Sequence, residues 1–384
     1  MKKIGLLTYF WDHNPGTFLQ AYATLEALKK RFPKDHVELI NYKLRKVPFT
    51  TALMHRKPAE LIEDLRRHYK YKDAQRKYLP LGSKSLITWD YHEASHFIKS
   101  LKYDLIVVGS DTLLDFRPDH LKRGTAPVYW LHPGINAKKI MCGSSAKAWT
   151  YEELTKEQRT ILKGSIKDFD LLGVRDEATY NLMKALGGDD RSRLYKIPDP
   201  TFSFEIDYSF AESLVKKRKI DFSKPSVMLS LPEWYKPVHD LASYYRSRGF
   251  QIIKLEFARY PDLCLHGISP FEWAGVYRYF DLVITDRFHG TVFSLKNGTP
   301  VVSIICRKDL VTSTGNSKYY SLLEPFGLHR TNIVDGMSNL HPDHIIEVTE
   351  RVRQNFPKIF VQQKVQELKG AYNAFVDQIP SILG

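Results

Sequence analysis

Asp281-Leu-Val-Ile-Thr285-Asp286-Arg287-Phe288-His289-Gly290-Thr291-Val-Phe-Ser294, running on to Gly298-Thr299-Pro300-Val301, is the stretch that decides the fold. An aliphatic run gives way to a polar turn, then to an apolar-striped segment stopped by glycine and proline, then to a second aliphatic run. That succession reads as strand, helix, strand, with the polar turn at the carboxyl end of the first strand. The same shape recurs outward in both directions. Leu105-Ile106-Val107-Val108 ends in Gly109-Ser110-Asp111, and Ile140-Met141-Cys142-Gly143 ends in Ser144-Ser145. Further strands are expected at Lys3 to Tyr9, Val37 to Asn41, Leu171 to Val174, Ser226 to Ser230, Gln251 to Leu255 and Val301 to Ile305. Helical patterns fill the intervals, at about 17–31, 91–100, 151–168, 176–186, 236–248, 270–279 and 290–297.

Strands alternating with helices imply parallel sheets covered on both faces. At 384 residues the chain suits two such units better than one. The expected organisation is an α/β protein with two Rossmann-like domains facing a central cleft. The first covers 1–208, with a basic helical insertion at about 43–80, and the second covers 222–345. A helical segment at 346–384, broken at Pro357, is expected to return and brace the first domain.

Composition narrows the function. Apolar residues make up 43% of the chain, which is globular, and no run approaches the roughly 20 apolar residues of a membrane span. The apolar run after Met1-Lys2-Lys3 is halted by Asp12-His13-Asn14-Pro15, so it reads as a first strand rather than a leader, and the expected compartment is cytoplasmic. Cys142, Cys264 and Cys306 are far apart and lack C-x-x-C spacing, so buried thiols are expected rather than disulfides or zinc. No histidine pair has metal-ligand spacing, and no bound metal is expected.

Half of the net charge of +14 lies in residues 43–77, where eleven Lys/Arg oppose four Asp/Glu. No nucleic-acid motif accompanies them. A solvated helical insertion is the plainer reading, and peripheral contact with anionic headgroups at the inner face of a membrane is the functional one.

Every polar cluster of interest lies where a strand ends and a helix begins, the place where open α/β sheets bind ligands. Asn14, Gly16 and Thr17 open the first helix, whose free N–H groups favour an anion. Gly109-Ser110-Asp111, with Asp115 beyond, offers a carboxylate for a sugar hydroxyl, or simply a helix cap. Ser144 and Ser145 form the matching turn after the next strand. Arg175 suits phosphate or carboxylate, unless it pairs with Asp176 or Glu177. Strongest is the opening stretch, where Arg287 and His289 put a cation and a titratable imidazole at a helix start, with Asp286, Gly290 and Thr291 around them.

These segments resemble the polysaccharide pyruvyl transferase family. Asn14-Pro-Gly-Thr-Phe-Leu-Gln-Ala-Tyr-Ala23 is similar to its N-terminal segment, Asp104 to Asp111, Val174-Arg175-Asp176 and Asp199-Pro200-Thr201 follow in order, and Asp286 to Thr291 looks like its arginine–histidine signature. Asp115 fits one branch of the family and Gly109-Ser110-Asp111 the other. The resemblance implies a fold like that of many glycosyltransferases (glycosyltransferase-B-like). It also implies transfer of pyruvyl from phosphoenolpyruvate, as co-substrate without further cofactor, onto two hydroxyls of a glycan or lipid-linked sugar. In that reading Arg175 and Arg287 hold the donor, while His289 and Asp111 or Asp115 move protons. A nucleotide-sugar glycosyltransferase on the same plan is the alternative, and a carbohydrate- or lipid-binding protein without turnover is a third.

Overall fold

A computed structural model describes residues 1–44, 57–116, 125–147, 149–188, 193–307, 311, 317–338 and 341–384. Arg45, Lys46 and Arg56 of the basic segment lie outside these residues.

The first sheet holds β1 (Lys3–Leu7), β2 (His36–Lys43), β3 (Leu81–Ile87), β4 (Leu105–Val108), β5 (Lys138–Ser144), β6 (Leu171–Val174) and β7 (Leu194–Lys196) in the order β3-β2-β1-β4-β5-β6-β7. The second holds β8 (Ser226–Ser230), β9 (Gln251–Lys254), β10 (Leu263–Cys264), β11 (Leu282–Thr285), β12 (Val301–Ile304) and β13 (Ile333–Val334) in the order β10-β9-β8-β11-β12-β13. All paired strands are parallel. The strand order reverses between β1 and β4 in one sheet and between β8 and β11 in the other. Side chains leaving those four strand ends are therefore the ones placed to meet a ligand.

The central strands are buried on both faces, which is why they read as unbroken aliphatic runs: all four residues of β4 are 0% exposed. Helix boundaries follow their caps. The helix expected from 151 begins at Lys156, because Thr155 and Gln158 form a reciprocal capping box there. Ser269 and Glu272 do the same for Pro270–Val276. The helix expected from 290 begins earlier, at Phe288, and ends at Gly298, whose φ of +67° suits glycine.

Two helices reach across the sheet boundary. Pro58–Tyr78, between β2 and β3, faces the second sheet's unit with one edge. Glu63 accepts from Arg218 at 2.9 Å and from the Gly267 N–H at 3.1 Å. Asp64 meets His266 at 2.6 Å, and Lys70 meets Glu272 at 2.7 Å. In return, the chain breaks at Pro357 and Lys358–Val376 packs on the first unit. There Tyr372 lies 3.3 Å from the Cys142 sulfur, and Arg31 holds Asp377 at 2.9 Å. Gly173 admits this helix: a Cβ there would stand 2.5 Å from the Phe375 ring. Bracing of the first domain by the C-terminal helix is thus built from named contacts.

Candidate active site

The residues after β1, β4, β8 and β11 converge on an interdomain cleft of about 410 Å³. Asn14 and Asp111 reach it from the first sheet, Ser230, Asp286, Arg287 and His289 from the second, and Arg175, Arg307 and Lys318 add positive charge to its walls.

His289 is the centre of the arrangement. It lies in the first turn of Phe288–Asn297, and only 13% of its side chain is exposed. Its imidazole is pushed into the first domain, against Gly16. A Cβ at position 16 would lie 2.1 Å from the His289 Nδ1, so nothing larger than glycine lets the ring occupy this place. Gly16→Ala should therefore displace the imidazole and lower kcat by roughly 10²-fold, as misplacement of a catalytic group by about 1 Å does. Unchanged kinetics in that variant would mean that the ring's position is immaterial.

Around the imidazole stands a buried ion network. Arg175, with 3% of its side chain exposed, donates to Asp199 at 2.9 Å and approaches Asp111 at 3.9 Å. Its guanidinium lies 4.7 Å from the centre of the Phe288 ring. Asp199 also accepts from Gln20 at 2.6 Å and from the Thr201 N–H at 3.0 Å, and its Oδ2 is 3.8 Å from the His289 Nε2. Asp111 accepts from Thr17 at 2.8 Å and from the Thr112 N–H at 2.7 Å.

Burial works to raise both carboxyls, but His289, Arg175 and the hydrogen bonds outweigh it and hold them below the usual range. For His289 the balance tips the other way. Burial pushes its pKa down to about 4, against the pull of Asp199 and Asp111 and with help from Arg175 and Lys318. The resting imidazole is thus neutral at pH 7, and its Nε2 has no hydrogen-bond partner. A buried neutral imidazole facing a cleft can accept a proton, and the flanking Asp199 and Asp111 offset the burial that makes it a weak base.

The same shift bears on stability. Between pH 6.5 and about 4 the unfolded chain binds a proton at His289 that the folded chain does not, so stability should fall as pH drops through this window. Burial and Arg67 lower His13 to about 4 as well, which adds to the slope. Thermal denaturation from pH 7 to 4 checks this: His289→Asn should flatten the decline, and an unaltered slope would refute the assignment.

The turn carrying Asp111 is strained, with φ at +87°, a conformation that costs a non-glycine residue about 1–3 kcal/mol. Its neighbours hold it there. The Ser145 N–H donates to the Asp111 carbonyl at 3.0 Å, and Ser144 donates to the Gly109 carbonyl at 2.7 Å. Gly109 is needed because a Cβ would come within 2.7 Å of Thr8. Thr8 in turn donates to the Ser110 carbonyl at 3.2 Å. Ser144, Ser145, Gly109 and Ser110 therefore support the turn from behind rather than lining the cleft.

In the second domain, Thr291 pairs with Ser303 at 2.7 Å, and Gly290 leaves room for Thr285, which a Cβ would approach to 2.7 Å. Asn14 caps the first helix, accepting from the Gly16 N–H at 3.0 Å. Asp286 is buried, and burial raises its carboxyl against the pull of Arg287 and Arg307. Arg287 is half-exposed and stands 3.3 Å from Asp286 and 3.8 Å from Glu256.

One sequence expectation changes, and one competing reading falls away. Asp115 does not reach the cleft: it accepts from the Trp149 indole at 2.9 Å and lies 3.8 Å from Lys147. Arg175 does not pair with Asp176, which instead caps the helix Glu177–Ala185. Sequence reasoning passed over Ser230, Arg307 and Lys318 on the cleft wall and, at the centre of the network, Asp199. Its only signal was an aspartate before Pro200-Thr201, which reads equally as a cap.

The family model for polysaccharide pyruvyl transferase matches residues 14–307. The chain belongs to the polysaccharide pyruvyl transferase family. Every residue of the ion network lies within that span, so the network is part of the family's own region of the chain. Curated proteins give no sequence match. Among solved structures, S. aureus MnaA in complex with UDP aligns with a TM-score of 0.56 at 8% identity, over 99% of this chain and 96% of that one. UDP-GlcNAc 2-epimerase from Neisseria meningitidis, bound to UDP-GlcNAc, gives 0.54 at 11% identity, over 100% and 99%. The spinosyn rhamnosyltransferase SpnG gives 0.52 at 9%, over 99% of both chains. At these identities the likeness concerns the fold: this pyruvyl transferase family member has the two-domain architecture shared by glycosyltransferases and sugar epimerases.

Proposed function

We propose that this transferase moves the pyruvyl group of phosphoenolpyruvate onto two hydroxyls of a sugar, forming a cyclic ketal and releasing phosphate. The observation that carries the reading is His289, neutral at rest and enclosed between Asp111 and Asp199, in a cleft whose walls bear Arg175, Arg287, Arg307 and Lys318. A small donor with a phosphate and a carboxylate matches such walls. Arg287, half-exposed on the wall of the same cleft, is the natural anion ligand, and Arg175 reaches the cleft while it orders the two carboxylates.

The chemistry balances with one shuttle. A sugar hydroxyl adds to C2 of the enol phosphate as His289 takes its proton, and the proton passes on to C3, making a methyl group. The C2–O bond to phosphate then breaks, with the electron pair leaving on phosphate. The second hydroxyl closes the ring at C2, and its proton leaves with the phosphate. Asp111, anionic and bonded to Thr17, stabilises the transient imidazolium. Proton transfer of this kind contributes roughly 10²–10⁴ in rate.

The acceptor we propose is a polysaccharide unit or its lipid-linked precursor. The outward face of Pro58–Tyr78, where Arg66 and Tyr69 are exposed, would then rest on anionic headgroups. Among the described residues no helix is long and apolar enough to cross a membrane.

Thermal-shift titration with phosphoenolpyruvate beside a panel of nucleotide sugars tests the donor. Phosphoenolpyruvate should stabilise the protein, and phosphate should appear once a glycan is added. Stabilisation by nucleoside diphosphates alone would overturn this reading in favour of glycosyl transfer.

A further inference from the structure

We propose that a second cavity, behind the cleft, is the subsite for one pyranose ring of the acceptor. Its use in catalysis rests on the pyruvyl-transfer reading, whereas the binding of the ring does not. The cavity encloses about 200 Å³, the scale of a single sugar ring. Phe202, Phe288, Leu322 and Leu368 give it apolar walls, and Asp176, Arg175 and Ser321 give it a polar edge. A pyranose has the matching two-sided character, with C–H faces and hydroxyl edges, and sites of mostly apolar lining with a few convergent polar groups suit small ligands.

The polar edge is incompletely satisfied. Asp176 and Arg175 each keep one buried atom, Oδ2 and Nε, without a hydrogen-bond partner. One is an acceptor and the other a donor, and the hydroxyls of a sugar ring can serve both roles. Leaving such groups unpaired in the interior is costly, and both belong to residues that line the cavity, which favours a ligand that pairs them.

The position of the cavity gives it a role. It shares Arg175, Phe288 and Lys318 with the cleft, so the two spaces are separated by one layer of side chains. Asp199 lines the second cavity and His289 lines the cleft, and they stand 3.8 Å apart across the partition. A ring held on the Asp199 side would lie one layer of side chains from the base, where a ring next to the reacting one in the acceptor would sit. The two spaces also sort the substrates. The cleft adds Arg287 and Arg307 to the shared Arg175 and Lys318, as a multiply anionic donor requires, whereas the cavity balances Arg175, Lys196 and Lys318 with Asp176 and Asp199 and sets them beside apolar walls.

The test measures binding of methyl pyranosides by saturation-transfer NMR without donor, in the wild type and two variants. Ala371→Phe places a ring at the mouth of the cavity from an exposed helical position. Asp176→Asn keeps the helix cap made by Oδ1, since asparagine caps as well as aspartate, but replaces the unpaired acceptor with a donor. At least one pyranoside should bind the wild type, and both variants should weaken it by about 10-fold or more, with the thermal shift from phosphoenolpyruvate unchanged. Pyranoside binding without any response to phosphoenolpyruvate would uphold the subsite and remove the donor reading. Wild-type affinity in both variants, displacement of the sugar by phosphoenolpyruvate, or no binding by the wild type would overturn the subsite.

Discussion

His289→Ala is expected to cut phosphate release from phosphoenolpyruvate by roughly 10²–10⁴, the contribution of one well-placed proton-transfer group. The effect should fall on kcat, because the donor's anionic groups are held by arginine and lysine rather than by the imidazole. The variant should also fold well. Removing the neutral ring takes no charge from the network at pH 7 and leaves Arg175 paired with Asp199. His289→Asn makes the complementary test, since it restores a polar group of similar reach that cannot carry a proton at neutral pH. If alanine and asparagine variants both turn over at the wild-type rate, His289 is not the proton carrier. If both lose phosphoenolpyruvate binding, it belongs to the donor site instead.

Arg175→Met should have the largest effect on stability. The guanidinium is the main cation beside two carboxylates of which Asp199 is 1% exposed and Asp111 18%. Methionine fills much of the same volume beside Phe288 but leaves those charges in the interior. Breaking a buried pair on one side costs about 3–5 kcal/mol. Urea denaturation at pH 7 should show that loss.

The pH dependence identifies its origin. In the wild type both aspartates have pKa values below 3.8, so their contribution is present above that pH and fades as pH falls through the lowered values. In the variant the carboxyls lose their main fixed cation, and burial favours their protonation. The gap between the two proteins should therefore narrow in acid. A gap of equal size at pH 7 and pH 4 would point to lost packing instead.

Much of this was legible in the chain because the fold writes itself in simple periods. Leu105–Val108 and Leu282–Thr285 are central strands, and an aliphatic run bounded by polar turns admits few other readings. The strand ends pointed in turn to Asp111, Arg287 and His289, since topology alone brings those ends together. The partnerships across the domains were not legible. The contact of Asp199 with His289 and Arg175 joins residues that are ninety and twenty-four positions apart, and nothing local in Asp199-Pro200-Thr201 separates a network member from a cap. Gly16 was read as part of a helix start that favours an anion, whereas the structure sets the His289 ring against it. Asp115 was misplaced for the opposite reason: four residues after Asp111 looked near, but the chain turns it toward Trp149.

The crossing of the two reaching helices has a consequence for how the molecule comes apart. Pro58–Tyr78 leaves the first sheet and is held by Arg218, His266 and Glu272, while Lys358–Val376 leaves the second and is held by Arg31 and Cys142. Neither sheet can lose its structure without stripping a partner from the other. Two domains of this size often melt separately, but here calorimetry should record a single transition. A chain shortened before Lys358 should lose that unity, because the first sheet would then expose the surface on which Tyr372 and Phe375 lie.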